Sequence, residues 1–120
     1  MTFEISTVRR FSASHQLRLD DGKLEPLHGH NWKVKVTVAA EKLDAIGVVM
    51  DFHLLEKLVD AVVGPMHNGH LNDLAGFAEV NPSAEGVAMK VGMGVKLPGA
   101  IRLVAVEVWE TEENSAIYRA

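Results

Sequence analysis

Between Trp32 and Val38 the chain alternates without a break: Trp32, Val34, Val36 and Val38 fall on one side, and Lys33, Lys35 and Thr37 on the other. A period of two with apolar residues on a single side is the pattern of a strand buried on one face. Such a strand requires a layer of other elements over its apolar side. His28 and His30 share the parity of Trp32 and Val34, so the buried face runs on into two imidazoles separated by Gly29. Residues two apart on an extended segment point the same way, and a glycine between them allows close approach of the backbone. His15 lies upstream, at the end of another strand-like stretch, Thr2 to Leu17, whose alternation is interrupted by Arg9 and Arg10. Neutral imidazole is a good zinc ligand, and three histidines with an open fourth position describe a catalytic rather than a structural zinc site. Structural sites favour cysteine, and this chain has none. His15, His28 and His30 are therefore the candidate ligands, with Zn2+ as the expected ion, a Lewis acid for a substrate oxygen.

The remaining elements follow in order. Arg18 to Pro26 is a polar connection with a turn at Asp20-Asp21-Gly22. Asp51 is a good N-cap, and Leu54, Leu55, Leu58, Val59 and Val62 recur at helical spacing until Gly64-Pro65. Met66 to Asn81 reads as a long polar loop. Ser83 caps a second helix with a stripe of Val87, Ala88, Val91 and Val95, which Gly86, Gly92 and Gly94 weaken by about 1 kcal/mol each against alanine. Ile101 to Glu110 is the most apolar strand, and Ser115 to Arg119 is a short last one. The order ββααββ predicts an α+β domain: a four-stranded antiparallel sheet with two helices on one face. Sheet edges left open by so small a domain predict strand-paired oligomers.

A chain of 120 residues is expected to form one domain, residues 1–120. Its net charge of −4 gives no electrostatic footprint for nucleic acid. Without cysteine there are no disulfides and no thiolate chemistry, which is compatible with a reducing cytosol. No apolar run approaches the ~20 residues that span a membrane. The start, Met1-Thr2-Phe3-Glu4-Ile5, has neither the basic residues nor the apolar core of a signal peptide. A cytoplasmic location is the expectation.

Six collinear segments resemble the 6-pyruvoyltetrahydropterin synthase family, which includes 6-carboxytetrahydropterin synthase and has the T-fold (tunnelling fold). They are Phe11-Ser12-Ala13-Ser14-His15, Leu27-His28-Gly29-His30-Asn31-Trp32, Gly47-Val48-Val49-Met50-Asp51-Phe52, Leu71-Asn72-Asp73, Asn81-Pro82-Ser83-Ala84-Glu85 and Val108-Trp109-Glu110-Thr111. The resemblance implies zinc on His15, His28 and His30, and a pterin ring held by Glu110. A carboxylate accepts two parallel hydrogen bonds from a guanidine-like edge, so that pairing is chemically apt. The resemblance also implies trimers stacked into a hexamer.

Two departures bear on activity. Family members that make pyruvoyl- or carboxy-pterins carry a cysteine base shortly before His-Gly-His; here Glu25-Pro26-Leu27 precedes it. That resembles a branch in which glutamate replaces the cysteine and 7,8-dihydroneopterin triphosphate is cleaved to 6-hydroxymethyl-7,8-dihydropterin. The family's Asp-His relay aligns with His67-Asn68, and asparagine cannot carry a proton as imidazole does. The expected catalytic residues are Glu25 with His67 or His70, and the expected activity is a zinc-dependent carbon–carbon lyase of folate type. The alternatives are a 6-carboxytetrahydropterin synthase with a substituted base and a pterin- or purine-binding paralogue without turnover. His53, on the first helix, matches no motif and reads as a surface or helix-packing residue.

Overall fold

Two long strands, β1 (Phe3–His15) and β2 (His28–Ala40), pair antiparallel over their full length, from Phe3 opposite Ala40 to His15 opposite His28. The computed structural model describes all residues, 1–120. The chain continues through α1 (Phe52–Val63), the two-residue β3 (Gly69–His70), α2 (Ala84–Gly94), β4 (Arg102–Trp109) and β5 (Ser115–Arg119). The sheet order is β3-β1-β2-β4-β5, antiparallel except for β3 beside β1. The sheet thus has five strands where the sequence predicts four. A strand of two residues inside a polar loop has no periodicity to read, and its pairing with Ala13 and Ser14 is a tertiary contact.

Both helices lie over one face of the sheet. Phe11, Trp32, Val34, Val36, Val38, Val106 and Val108 from the strands meet Leu55, Val59, Val63, Val87 and Val91 from the helices in one buried cluster. Asp51 caps α1 through a bond from the His53 backbone N–H, and Ser83 caps α2 through Gly86 N–H. The loop from Met66 to Asn81 is not wholly polar, because Met66, Leu71 and Phe77 anchor it in the core through short 3-10 turns.

Arg9 does not break the pattern of β1. It keeps the parity of Thr7 and Phe11, and its guanidinium grips Asp60 of α1 with two bonds of 2.7 and 2.8 Å. A bulge does alter β4: Thr37 faces Ala105 while Val38 faces Leu103, so Val104 is the extra residue. Val104 therefore borders a groove with Lys35, Thr37 and Glu107 on the uncovered face, and does not share the side of Val106 and Val108 as simple alternation predicts.

Two glycines of α2 are set by packing. A Cβ on Gly86 would overlap the backbone oxygen of Asn81, and one on Gly92 would lie 2.7 Å from the Tyr118 ring. Helix propensity alone favours alanine at both sites, but overpacking costs about 1–3 kcal/mol. Gly86→Ala should lower the stability measured by urea unfolding. Gly92→Ala should lower it less, because a ring can rotate away and a carbonyl on a fixed backbone cannot.

Candidate metal centre

The β1–β2 register places His15 opposite His28 and Ala13 opposite His30, with Phe11 opposite Trp32. Three imidazoles therefore gather at one end of the helix-covered face. Buried Trp32 underlies them, its indole N–H donating to the Ala13 carbonyl at 3.1 Å. The rings of His15 and His30 meet Trp32 edge-on at 4.9 and 5.6 Å between centroids. Glu110 follows β4 with the parity of Val106 and Val108 and arrives on the same face. One donor atom from each of His15, His28, His30 and Glu110 lies within 4.8 Å of every other.

The hydrogen bonds around this cluster fix which nitrogens face inward. His15 Nδ1 is 2.7 Å from the Pro82 carbonyl and His28 Nδ1 is 2.9 Å from the Pro26 carbonyl. A carbonyl only accepts, so each Nδ1 carries a proton and each ring turns its Nε2 to the centre. Those two Nε2 atoms stand 3.0 Å apart. Ring nitrogens at that separation share a proton or a cation. The buried Nε2 of His30 lies 3.0 Å from Glu110 Oε1. Burial lowers the His30 pKa from its ordinary value, with His15 and His28 adding to the effect and Glu110 opposing it. The imidazole is thus kept neutral, as a metal ligand must be. The donor set suits zinc, and the backbone carbonyls orient the rings as outer-shell partners do.

Glu25 reaches the same cluster by a small hairpin. Gly22, at φ +83°, turns the connection, Arg18 bridges Leu24, and Glu25 N–H returns to the Leu17 carbonyl. The Glu25 carboxylate accepts from Leu17 N–H at 2.9 Å, and its Oε1 lies 3.8 Å from His28 Nε2. His67 and His70 do not join the cluster. His67 Nδ1 accepts from Ser12 N–H at 3.1 Å, and His70 Nδ1 pairs with Ser14 Oγ at 2.9 Å. Ser12 and Ser14 alternate with Ala13 and His15 and so belong to the opposite face of the sheet. His53 is on the surface, its side chain 90% exposed.

Sequence reasoning alone misses the residues that hold this end of β1 in place. The Asn72 side chain accepts from Gln16 N–H and donates to the Gln16 carbonyl; Asn81 does the same for Arg18. Each amide replaces a neighbouring strand where β1 has run out. Asn81, Pro82 and Ser83 are consecutive and serve Arg18, His15 and the N-terminus of α2 in turn. The only sign of this in the sequence is that the same string was among the matched motifs.

The fold and site define an α+β domain whose sheet gathers three histidines and two carboxylates at one end, four of which could hold a metal ion. The chain belongs to the 6-pyruvoyl tetrahydropterin synthase family, whose model matches residues 4–120. It is 34% identical over 113 residues to a 6-carboxy-5,6,7,8-tetrahydropterin synthase from Synechocystis, covering 90% of this chain and 86% of the relative. It is 33% identical over 105 residues to a dihydroneopterin monophosphate aldolase from Pyrococcus furiosus, covering 86% and 85%. The solved 6-pyruvoyl tetrahydropterin synthase of Caenorhabditis elegans shares the fold, with a TM-score of 0.82 at 24% identity, covering 100% of this chain and 96% of that one.

The neutral state of His30 has a consequence for stability. Below about pH 6.5 the unfolded chain protonates this imidazole while the folded chain resists, so stability falls as pH drops from there. Chelator-treated protein should show a falling Tm between pH 7 and 5, and His30→Asn should flatten that slope.

Proposed function

We propose that this protein is a zinc-dependent carbon–carbon lyase that cleaves the side chain of a phosphorylated 7,8-dihydroneopterin to leave 6-hydroxymethyl-7,8-dihydropterin. The observation that carries this reading is the place of Glu25. In a chain without cysteine, its carboxylate is held by Leu17 N–H beside the histidine cluster, where the family resemblance puts a catalytic base. The similarity to a dihydroneopterin monophosphate aldolase supports the same type of cleavage of a phosphorylated dihydroneopterin.

His15, His28 and His30 would hold the ion, which when bound supplies Lewis-acid polarisation of the side-chain hydroxyls. Glu25 takes the proton of the second side-chain hydroxyl. That carbon becomes an aldehyde as its bond to the first side-chain carbon breaks. The electron pair passes to the first carbon, conjugated with the dihydropterin ring, and a proton returned there completes 6-hydroxymethyl-7,8-dihydropterin. The other product is the phosphorylated two-carbon aldehyde, and no oxidant or co-reactant is consumed. Glu110 orients the ring by pairing with its amino and N–H groups, so that the side chain lies over the metal. His67 and His70, on the other face, would serve such a step only at a site shared with a second copy. That arrangement also favours the reading of a pterin-binding protein without turnover, since the Asp-His relay is absent.

The product decides between these readings. Zinc-loaded protein, incubated with 7,8-dihydroneopterin mono- and triphosphate, should release 6-hydroxymethyl-7,8-dihydropterin, read by mass spectrometry. A carboxy-pterin product would assign the synthase reading, and pterin binding without any product would assign the binding protein. General-base groups contribute about 10²–10⁴-fold, so Glu25→Gln should lose activity on that scale while retaining its zinc.

Assembly is part of the proposal. The sheet leaves one face uncovered and ends in a two-residue edge at β3 and a five-residue edge at β5. Strand pairing between copies would close those edges. Sedimentation should show a trimer or hexamer; an active monomer would exclude shared sites.

A further inference from the structure

The small hairpin that carries Glu25 departs from ladder geometry at one bond. Arg18 bridges Leu24, and Leu19 N–H donates to the Lys23 carbonyl at 2.8 Å, so the antiparallel register puts Leu17 opposite Glu25. Facing residues in such a hydrogen-bonded pair exchange two bonds, each N–H reaching the other's carbonyl. One of the two forms here: Glu25 N–H donates to the Leu17 carbonyl at 3.0 Å. The return bond goes elsewhere. Leu17 N–H donates to the side chain of Glu25, 2.9 Å from Oε1, and the Glu25 carbonyl is displaced from the ladder. That carbonyl is taken up by Gln16, whose Nε2 donates to it at 3.1 Å.

The carbonyl and the carboxylate of Glu25 thus compete for a single N–H. A half-buried carbonyl without a donor is costly, and the Gln16 amide removes that cost by supplying a second donor. A carbonyl only accepts, so the amide must present its NH2 side. The main chain of Gln16 is itself gripped by Asn72, which accepts from Gln16 N–H at 2.9 Å and donates to the Gln16 carbonyl at 2.7 Å. The amide therefore acts from a fixed backbone. The outcome is a carboxylate tethered through Oε1, which lies 3.8 Å from His28 Nε2.

We propose that Gln16 is a positioning residue for Glu25: by bonding the Glu25 carbonyl it reserves Leu17 N–H for the carboxylate, fixing Oε1 beside the histidines and leaving Oε2 to take the substrate proton. This rests on the reading of Glu25 as the base of the cleavage. Without the amide, the carbonyl regains Leu17 N–H, the ladder closes in the ordinary way, and the carboxylate is released from its place.

Two substitutions separate the hydrogen bond from the bulk of the side chain. Gln16→Met keeps the length and loses the donor, whereas Gln16→Lys keeps a donor. A crystal structure of zinc-loaded Gln16→Met should show Leu17 N–H paired with the Glu25 carbonyl and the carboxylate turned away; Gln16→Lys should keep the wild-type pairing. With 7,8-dihydroneopterin monophosphate, Gln16→Met should lower kcat by up to about 10²-fold, the scale of a small misplacement. Its KM and zinc content should stay unchanged, and Gln16→Lys should recover most of the loss. In a Glu25→Gln background, Gln16→Met should cost nothing further, because the two residues act as one unit. A Gln16→Met structure in which Leu17 N–H still meets the carboxylate, or wild-type kcat in that variant beside an inactive Glu25→Gln, would overturn the proposal. Full activity in Glu25→Gln would overturn the reading of Glu25 as the base, and the proposal with it.

Discussion

The register between β1 and β2 is the constraint on which the rest depends. His15 faces His28, and His30 follows two residues on, so three imidazoles converge because thirteen consecutive pairs hold in step. A slip by one residue would send every side chain of a strand to the other face. It would turn Trp32, Val34, Val36 and Val38 out of the core and carry His28 and His30 away from His15. The same burial of valines that stabilises the sheet therefore fixes the geometry of the site. Binding geometry and folding free energy share one set of contacts.

The site is completed from outside that pair of strands by short-range devices acting on long-range neighbours. Pro82 and Pro26 contribute carbonyls, whose acceptance of the Nδ1 protons sets the tautomers of His15 and His28. Asn72 and Asn81 lend side-chain amides to the end of β1. The start of α2 packs so closely on Asn81 that Gly86 has no room for a Cβ. These contacts tie the loop after α1 to the histidine end of the sheet. They account for polar residues inside a stretch whose apolar anchors, Leu71 and Phe77, are fully buried.

Charge is distributed unequally around the cluster. Glu25 and Glu110 approach three histidines, of which His30 has its pKa lowered by burial. A cation at their centre would neutralise the facing lone pairs and carboxylates together. The uncovered face of the sheet carries a different character, with Lys33 over the Trp109 ring at 4.0 Å, and with Ser12 and Ser14 holding His67 and His70.

The sequence by itself determined the half-buried strand from Trp32 to Val38, the parity that joins His28 and His30 to it, both helices with their Asp51 and Ser83 caps, and the family. Each of these is encoded by local spacing or by side chains close to the backbone they serve. Tertiary structure alone decided the fifth strand, the bulge that turns Val104 to the open face, the grip of Arg9 on Asp60, and the position of Glu110 within the histidine cluster. These are meetings of residues far apart in the chain, and no periodicity records a partner 51 or more residues away. The same reason separates the two carboxylates. Glu25 stands close to His28 in sequence, so its approach was legible there, whereas Glu110 comes from the far end of the chain and meets the histidines only because β4 lies beside β2.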